Sequence, residues 1–226
     1  MSIEIKITLS KGLYLRNPQE SNLGKKIIEH SINMIFTYGF ESFNFKKIAN
    51  EINSTEASLY RYFQNKHMLL LYLVNWYWEW VMYLITINTM NIIVSEQKLQ
   101  IIIHSIVSAS KSNSLVEYVD ENKLQSIIIS EGTKAYHTIG VDKENAEGFF
   151  KSYKNLVAMI SKVITEVNPE FKYPNALASN LFEMSNNHIF FAQHLPKLTD
   201  VTSKVNVEKE IEVMMNYFVK KLVLSK

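Results

Sequence analysis

The chain has 226 residues, 47% of them apolar and 20% charged, enough to bury a core as one large domain or two small ones. Six Gly and four Pro are too few for collagen-like, linker-like or turn-dense all-β architectures, and the absence of cysteine removes disulfides, thiolate nucleophiles, Cys-type zinc and iron–sulfur clusters. The net charge of +2 is uneven, because residues 1–67 hold nine Lys or Arg against six Glu whereas residues 68–226 hold fifteen against sixteen.

Taken in chain order, Met1 to Lys6 shows no basic stretch followed by an apolar run, so no signal peptide is expected and the chain reads as cytoplasmic. Ile3, Ile5, Ile7 and Leu9 alternate with polar residues, which predicts an arm or small hairpin turning at Ser10-Lys11-Gly12 into Leu13-Tyr14-Leu15. After Pro18, Ser21 is a candidate N-cap for a first helix ending at Gly39. Asn44 can cap a short second helix carrying Phe45, Ile48, Ala49 and Ile52, and Thr55 a third carrying Ala57, Leu59, Tyr60 and Phe63. Two short helices joined so tightly make a helix-turn-helix.

A fourth helix is expected from about Lys66 to Asn91. Its stretch Met68 to Ile87 is nearly all apolar and as long as a membrane span. Asn75 and Glu79 sit near its centre, where a charge costs roughly 2.5–3.5 kcal/mol on insertion scales. It therefore reads as a buried helix, with no membrane partner. A fifth helix starts at Ser95 and a sixth covers about Asn122 to His137, with the polar break Ser110–Ser114 between them. Asp142 is expected to cap a helix whose stripe Phe149, Tyr153, Leu156, Ile160, Val163 and Val167 runs to Asn168-Pro169, and two last helices span about Asn175 to Leu195 and Val207 to Leu224.

The segment Ile27 to Leu70 carries the most specific pattern. It has Gly39-Phe40 after the first helix, Ile48-Ala49 in the second, and Leu59, Tyr60, Tyr62, Phe63 and Lys66 at the end of the third. That pattern resembles the DNA-binding region of the TetR family of one-component transcriptional regulators. The sequence departs from the family at the turn, where Asn53 replaces Gly and Ser54 an apolar residue. It departs again at Glu56, the first exposed position of the recognition helix.

The residues themselves support the same reading. A recognition helix offers polar groups to base edges from one face while the other is locked to the preceding helix. Thr55, Glu56 and Ser58 supply the polar groups; Ala49, Ile52, Leu59 and Phe63 supply the lock. Tyr60 and Tyr62 are expected to reach phosphates through their hydroxyls, Lys66 from the start of the fourth helix, and Asn44 at a helix N-terminus. Lys46, Lys47 and Arg61 add positive charge, and Arg16 on the arm is a candidate for a minor groove.

The expected fold is all-α: an arm at 1–20, a three-helix helix-turn-helix domain at 21–66 and a larger helical domain at 67–226, about nine helices in all. The resemblance implies that helices four to seven enclose an effector pocket and that the last two helices pair with a second copy. For the pocket the candidates are Tyr72, Trp76, Trp80 and Tyr83 on the fourth helix, with His104, Phe149 and Tyr153; for the dimer interface they are Leu181, Met184, His188, Phe191, Ile211, Met214, Met215 and Phe218. An apolar, aromatic lining suits a small apolar or aromatic effector.

No metal, cofactor or catalytic residue is expected. None of His30, His67, His104, His137, His188 and His194 pairs with another at helical spacing, and neither GxSxG, GxGxxG nor a phosphate-cradling Gly-rich loop occurs. The expected function is a ligand-responsive transcriptional regulator, most simply a repressor, binding a palindromic operator in double-stranded DNA as a homodimer. Two other readings stay open: a protein of the same shape that has lost specific DNA binding and acts on a protein partner, and a helical lipid carrier or enzyme.

Overall fold

The structure, a computed structural model, describes residues 7–111, 116–203 and 205–224. Among these, eleven α-helices occur and no strand: α1 (Asn22–Tyr38), α2 (Phe45–Glu51), α3 (Glu56–Tyr60), α4 (Lys66–Thr89), α5 (Ser95–Val107), α6 (Glu121–Glu131), α7 (Thr133–Tyr136), α8 (Val141–Ala146), α9 (Lys151–Val167), α10 (Pro174–His194) and α11 (Val207–Val219). The chain divides into two compact units, one made of the residues up to Glu79 with Ser110–Ser152, the other of Trp80–Ala109 with the residues from Tyr153 on.

In the first unit the expected caps hold the helix starts. Ser21 Oγ accepts from the Gly24 amide at 3.1 Å, Asn44 Oδ1 from the Lys47 amide at 3.0 Å, and Thr55 Oγ1 from the Ser58 amide at 3.3 Å. Each satisfies one of the amides that a helix start leaves without an intrahelical partner. Ile27, Ile28, Ile32, Ile35, Phe43, Phe45, Ile48, Leu59 and Phe63 form the buried core beneath α1, α2 and α3. The arm is folded onto this unit. Lys11–Leu13 is a 3-10 turn rather than a hairpin bend, Leu13 is buried, Gln19 exchanges hydrogen bonds with the backbone of Ile7 at 3.2 and 2.6 Å, and Leu15 N donates to Tyr62 O at 2.8 Å. The rest of the expected hairpin, at residues 1–6, lies outside the described residues, as does most of the polar break at 112–115.

Two long predicted helices are divided in the structure. The one expected over 122–137 becomes α6 and α7, meeting at Gly132, and the one expected from Asp142 becomes α8 and α9, because Gly148 takes the left-handed conformation, φ 83°. Asp142 thus lies inside α8, with Gly140 in the capping position. These two breaks account for the helices beyond nine.

Helix α4 is mostly buried, as expected: 78% of its span-length apolar window is buried. The side chain of Asn75 donates to Leu71 O at 2.9 Å, one turn back on α4. Burial pushes the Glu79 carboxyl above its ordinary pKa, while a bond from Ser152 acts against the shift.

In the second unit α5 packs on α10 and α11, and α10 on α11, around Leu99, Ile102, Ile103, Ile106, Leu181, Phe182, Ile211 and Met215. The chain end turns from α11 into a π turn at Lys220–Leu224, and Asn168 Nδ2 donates to Val223 O there at 2.9 Å.

Candidate nucleic-acid interface

The turn between α2 and α3 is closed by backbone chemistry. Ser54 N donates to Ala49 O at 2.8 Å, and Asn53 takes φ 52°. Asn is among the few residues other than Gly that enter this left-handed region at modest cost, so the departure from the family Gly keeps the turn. Leu59 and Phe63 are fully buried and Ala49 nearly so, which fixes α3 against the core. Thr55, Glu56, Tyr60 and Arg61 are exposed and Ser58 is half-buried.

Several candidate side chains have internal partners. Thr55 Oγ1 and Ser58 Oγ lie 2.9 Å apart, so each hydroxyl orients the other. Tyr60 is 47% exposed; its hydroxyl donates to Glu56 Oε1 at 3.4 Å, and its ring meets Phe45 edge-on with centroids 5.1 Å apart. The anion that looked out of place on a recognition helix is thus hydrogen-bonded from within that helix. Lys46 and Lys47 are exposed, with Lys47 Nζ returning to Ser42 O at 2.7 Å. Asn44 is exposed, and its carbonyl caps α2.

Tyr62 departs from the expected phosphate contact. It is 2% exposed, and its hydroxyl lies 2.7 Å from Ser21 Oγ, so it is spent on joining the segment after α3 to the start of α1. Helical spacing could have found this, since Leu59, Tyr62 and Phe63 share the inward face while Tyr60 faces out. Arg16, expected at a minor groove, stacks its guanidinium over the Tyr62 ring at 5.5 Å.

Lys66, at the start of α4, is half-buried. Its ammonium lies 4.7 Å from the centre of the Phe40 ring and donates to Phe40 O at 3.3 Å. The Phe40 amide in turn donates to Glu131 Oε1 of α6 at 3.1 Å. Lys134 of α7 bridges Glu131 Oε2 at 2.8 Å and Glu41 Oε1 at 2.9 Å. The Lys134 ammonium holds the Glu41 carboxyl below its ordinary pKa, and Glu131 with Glu41 holds Lys134 above its own. Sequence reasoning missed this cluster because its members are far apart in the chain and carry no motif.

The candidate pocket residues divide between the units. Tyr72, Trp76 and Phe149 are buried in the first, where Tyr72 packs edge-on against Tyr14 and Phe63 with centroids 6.1 and 5.3 Å away. In the second, Trp80 is buried with Nε1 donating to Ala109 O at 3.0 Å, Tyr83 stacks on it at 5.5 Å, and the Tyr153 hydroxyl donates to Glu183 at 2.9 Å. His104 is exposed and lies 3.0 Å from Glu212, a surface contact rather than part of an apolar lining.

Of the candidate interface residues, Leu181, Ile211 and Met215 are completely buried within their own unit, because α10 and α11 use that side to pack on α5 and on each other; they do not form an outer face. Met184, His188, Phe191 and Met214 are half-buried and Phe218 is exposed. Val213, Tyr217, Leu222 and Leu224 are also exposed apolar residues on this stretch, which the broad apolar stripe had merged with the inward face. Among the described residues no cluster of His, Asp or Glu suited to a metal ion occurs.

A short rigid turn joining two small helices, with the second one's polar side chains outward, makes this a helix-turn-helix protein. Residues 27–73 match the family profile described as bacterial regulatory proteins, tetR family. No curated protein matches the sequence. Among solved structures, the fold is similar to that of AibR in complex with isovaleryl coenzyme A and operator DNA, at TM-score 0.57 and 16% identity over 88% of this chain and 98% of that one. It is also similar to the fatty acid degradation regulator FadR from Bacillus halodurans, at 0.60 and 15% over 84% and 92%. The ketosteroid transcriptional regulator KstR2 of Mycobacterium tuberculosis gives 0.58 and 10% over 96% and 99%.

Proposed function

We propose that this protein is a transcriptional regulator that reads double-stranded DNA through α3, as a homodimer on a palindromic operator, and that a small apolar or acyl-bearing effector controls its binding. The observation that carries this reading is the construction of α2–α3: a left-handed Asn53 closes the turn, Leu59 and Phe63 anchor it, and Thr55, Glu56, Tyr60 and Arg61 are left exposed. Hydroxyl, carboxylate and guanidinium groups are the chemistry that base edges and phosphates accept.

Each group then has a part. Thr55, Ser58 and Glu56 face base edges, Glu56 as an acceptor for cytosine N4. Tyr60, Lys46, Lys47, Arg61 and Lys66 meet phosphates, and Asn44 holds the first turn of α2 beside them. Two copies joined through the exposed side of α11, at Tyr217 and Phe218, present two recognition helices to successive half-sites. Trp80 and Tyr83 of the second unit, with Tyr153, line the effector site. AibR, with isovaleryl coenzyme A and operator DNA in one crystal, supports an effector of that broad kind.

The test is selection of duplexes from a random-sequence pool with the full chain, followed by titration at several salt concentrations. Specific binding to a symmetric site, with log K falling linearly in log salt, is the expected result. Failure to enrich any duplex overturns the reading.

A further inference from the structure

We propose that Glu131, at the end of α6, is a positioning residue for DNA contact, acting through Phe40 to set where the Lys66 ammonium sits. The inference rests on the DNA-binding reading and names a residue outside the helix-turn-helix on which that reading depends.

The chain of contacts is continuous. Glu131 Oε1 accepts from the Phe40 amide at 3.1 Å, and Phe40 O accepts from Lys66 Nζ at 3.3 Å while its ring lies under the same ammonium at 4.7 Å. One peptide segment is thus held at its amide by α6 and holds, at its carbonyl and ring, the cation at the start of α4. The segment has little freedom. Gly39 before it stands at φ 77°, a conformation that side-chain-bearing residues rarely adopt, and Phe40 and Phe43 are buried with their rings stacked at 6.2 Å. Lys134 fixes the carboxylate from its other side and ties it to Glu41, the residue after Phe40.

Removing the Glu131 acceptor leaves a part-buried amide unsatisfied, and the segment shifts to find water, taking the Lys66 anchor with it. Any displacement of α6 reaches Lys66 by the same route. Coupling of this kind is carried by contiguous bonded contacts with discrete arrangements.

The test is a double-mutant cycle on the full chain, with a duplex selected from a random-sequence pool as the probe. Glu131→Ala is expected to weaken binding about 2- to 30-fold, and Lys66→Ala to lower the salt slope by about one for each phosphate it no longer neutralises. The combined variant is expected to bind no worse than Lys66→Ala alone, because both changes act on the same interaction with DNA. Glu131→Gln, whose amide oxygen still accepts from Phe40, is expected to restore most of the affinity. Lys134→Met gives a smaller loss of the same non-additive kind and serves if Glu131→Ala does not fold.

A purely structural Glu131 would lower the melting temperature and leave the salt slope alone, and additive losses in the cycle would carry the same meaning; either overturns the inference. If the unmodified chain binds no duplex at all, this inference and the DNA-binding reading fall together, whereas additivity in a chain that binds removes only the former.

Discussion

Asn53 shows how one side chain decides whether a turn is formed. At φ 52° a residue with an ordinary Cβ is strained by about 1–2 kcal/mol, a cost Asn lowers and Gly avoids. Asn53→Ala is therefore expected to lower stability by about 1 kcal/mol and Asn53→Gly to leave it unchanged or raise it, read from urea unfolding. Equal stability of the two variants would contradict the conformation. This position was legible in the sequence because the permitted residues at a left-handed turn are few.

Glu121 was not legible. It opens α6, is 1% exposed, and its Oε1 has no hydrogen-bond partner among the described residues, a state that composition and periodicity do not reveal. Burial pushes its carboxyl above the usual range; a hydrogen bond from its own backbone amide acts against the shift, and the Asp120 charge adds to it. A carboxyl that holds its proton more tightly folded than unfolded contributes its stability at acid pH and loses it as pH rises through the folded value. Glu121→Gln stays neutral throughout, so its stability relative to the unmodified chain is expected to rise as pH goes from about 4 to about 7.5. A difference that stays flat across that range would show that the carboxyl is not buried in this way.

Among the elements, α1 owes its position to what lies at its first turn. A Cβ on Gly24 would fall 2.2 Å from Pro18 O and 2.5 Å from Pro18 Cα, backbone atoms that cannot swing aside. Gly24→Ala is accordingly expected to destabilise by about 1–3 kcal/mol despite the better helix propensity of Ala, measured by thermal unfolding; an unchanged or raised melting temperature would mean the 3-10 turn at Pro18–Glu20 is not packed there.

Helix starts were readable because Ser21, Asn44 and Thr55 are caps by chemistry. Helix ends inside apolar runs were not. Gly132 and Gly148 each divide a segment whose hydrophobic spacing continues across the break, and periodicity alone joins what a single glycine separates. Tyr62 was misplaced for a different reason: its spacing from Leu59 and Phe63 puts its ring on the inward face, where its hydroxyl meets Ser21.

At the scale of the whole molecule, broad apolar stripes on α10 and α11 signalled burial without saying against what. Leu181, Ile211 and Met215 go inward, whereas Val213, Tyr217 and Phe218 stay outside. A proposed dimer that uses this outer side makes a clear demand. Tyr217→Asp combined with Phe218→Glu is expected to give a monomer in sedimentation equilibrium with an unchanged melting profile at the lowest concentrations, because buried charge without a partner is costly in an interface and costs nothing on a free surface. A dimer that survives the pair of changes would place the contact elsewhere. The family segment was the most legible part of the chain, since its spacing is fixed by a turn and a lock. The effector site was the least, since Tyr72, Trp76 and Trp80 are buried and burial of aromatic residues is common to pockets and cores.

The most direct test of DNA reading by α3 is to compare base-specific and salt-dependent binding in two variants of the full chain, using its selected duplex. Thr55→Val is expected to relax the preference at particular base positions with little change in salt slope, and Arg61→Ala to weaken all duplexes alike while lowering that slope by about one per phosphate it neutralises. Unchanged base preference and unchanged slope in both variants would contradict the assignment of this surface to DNA.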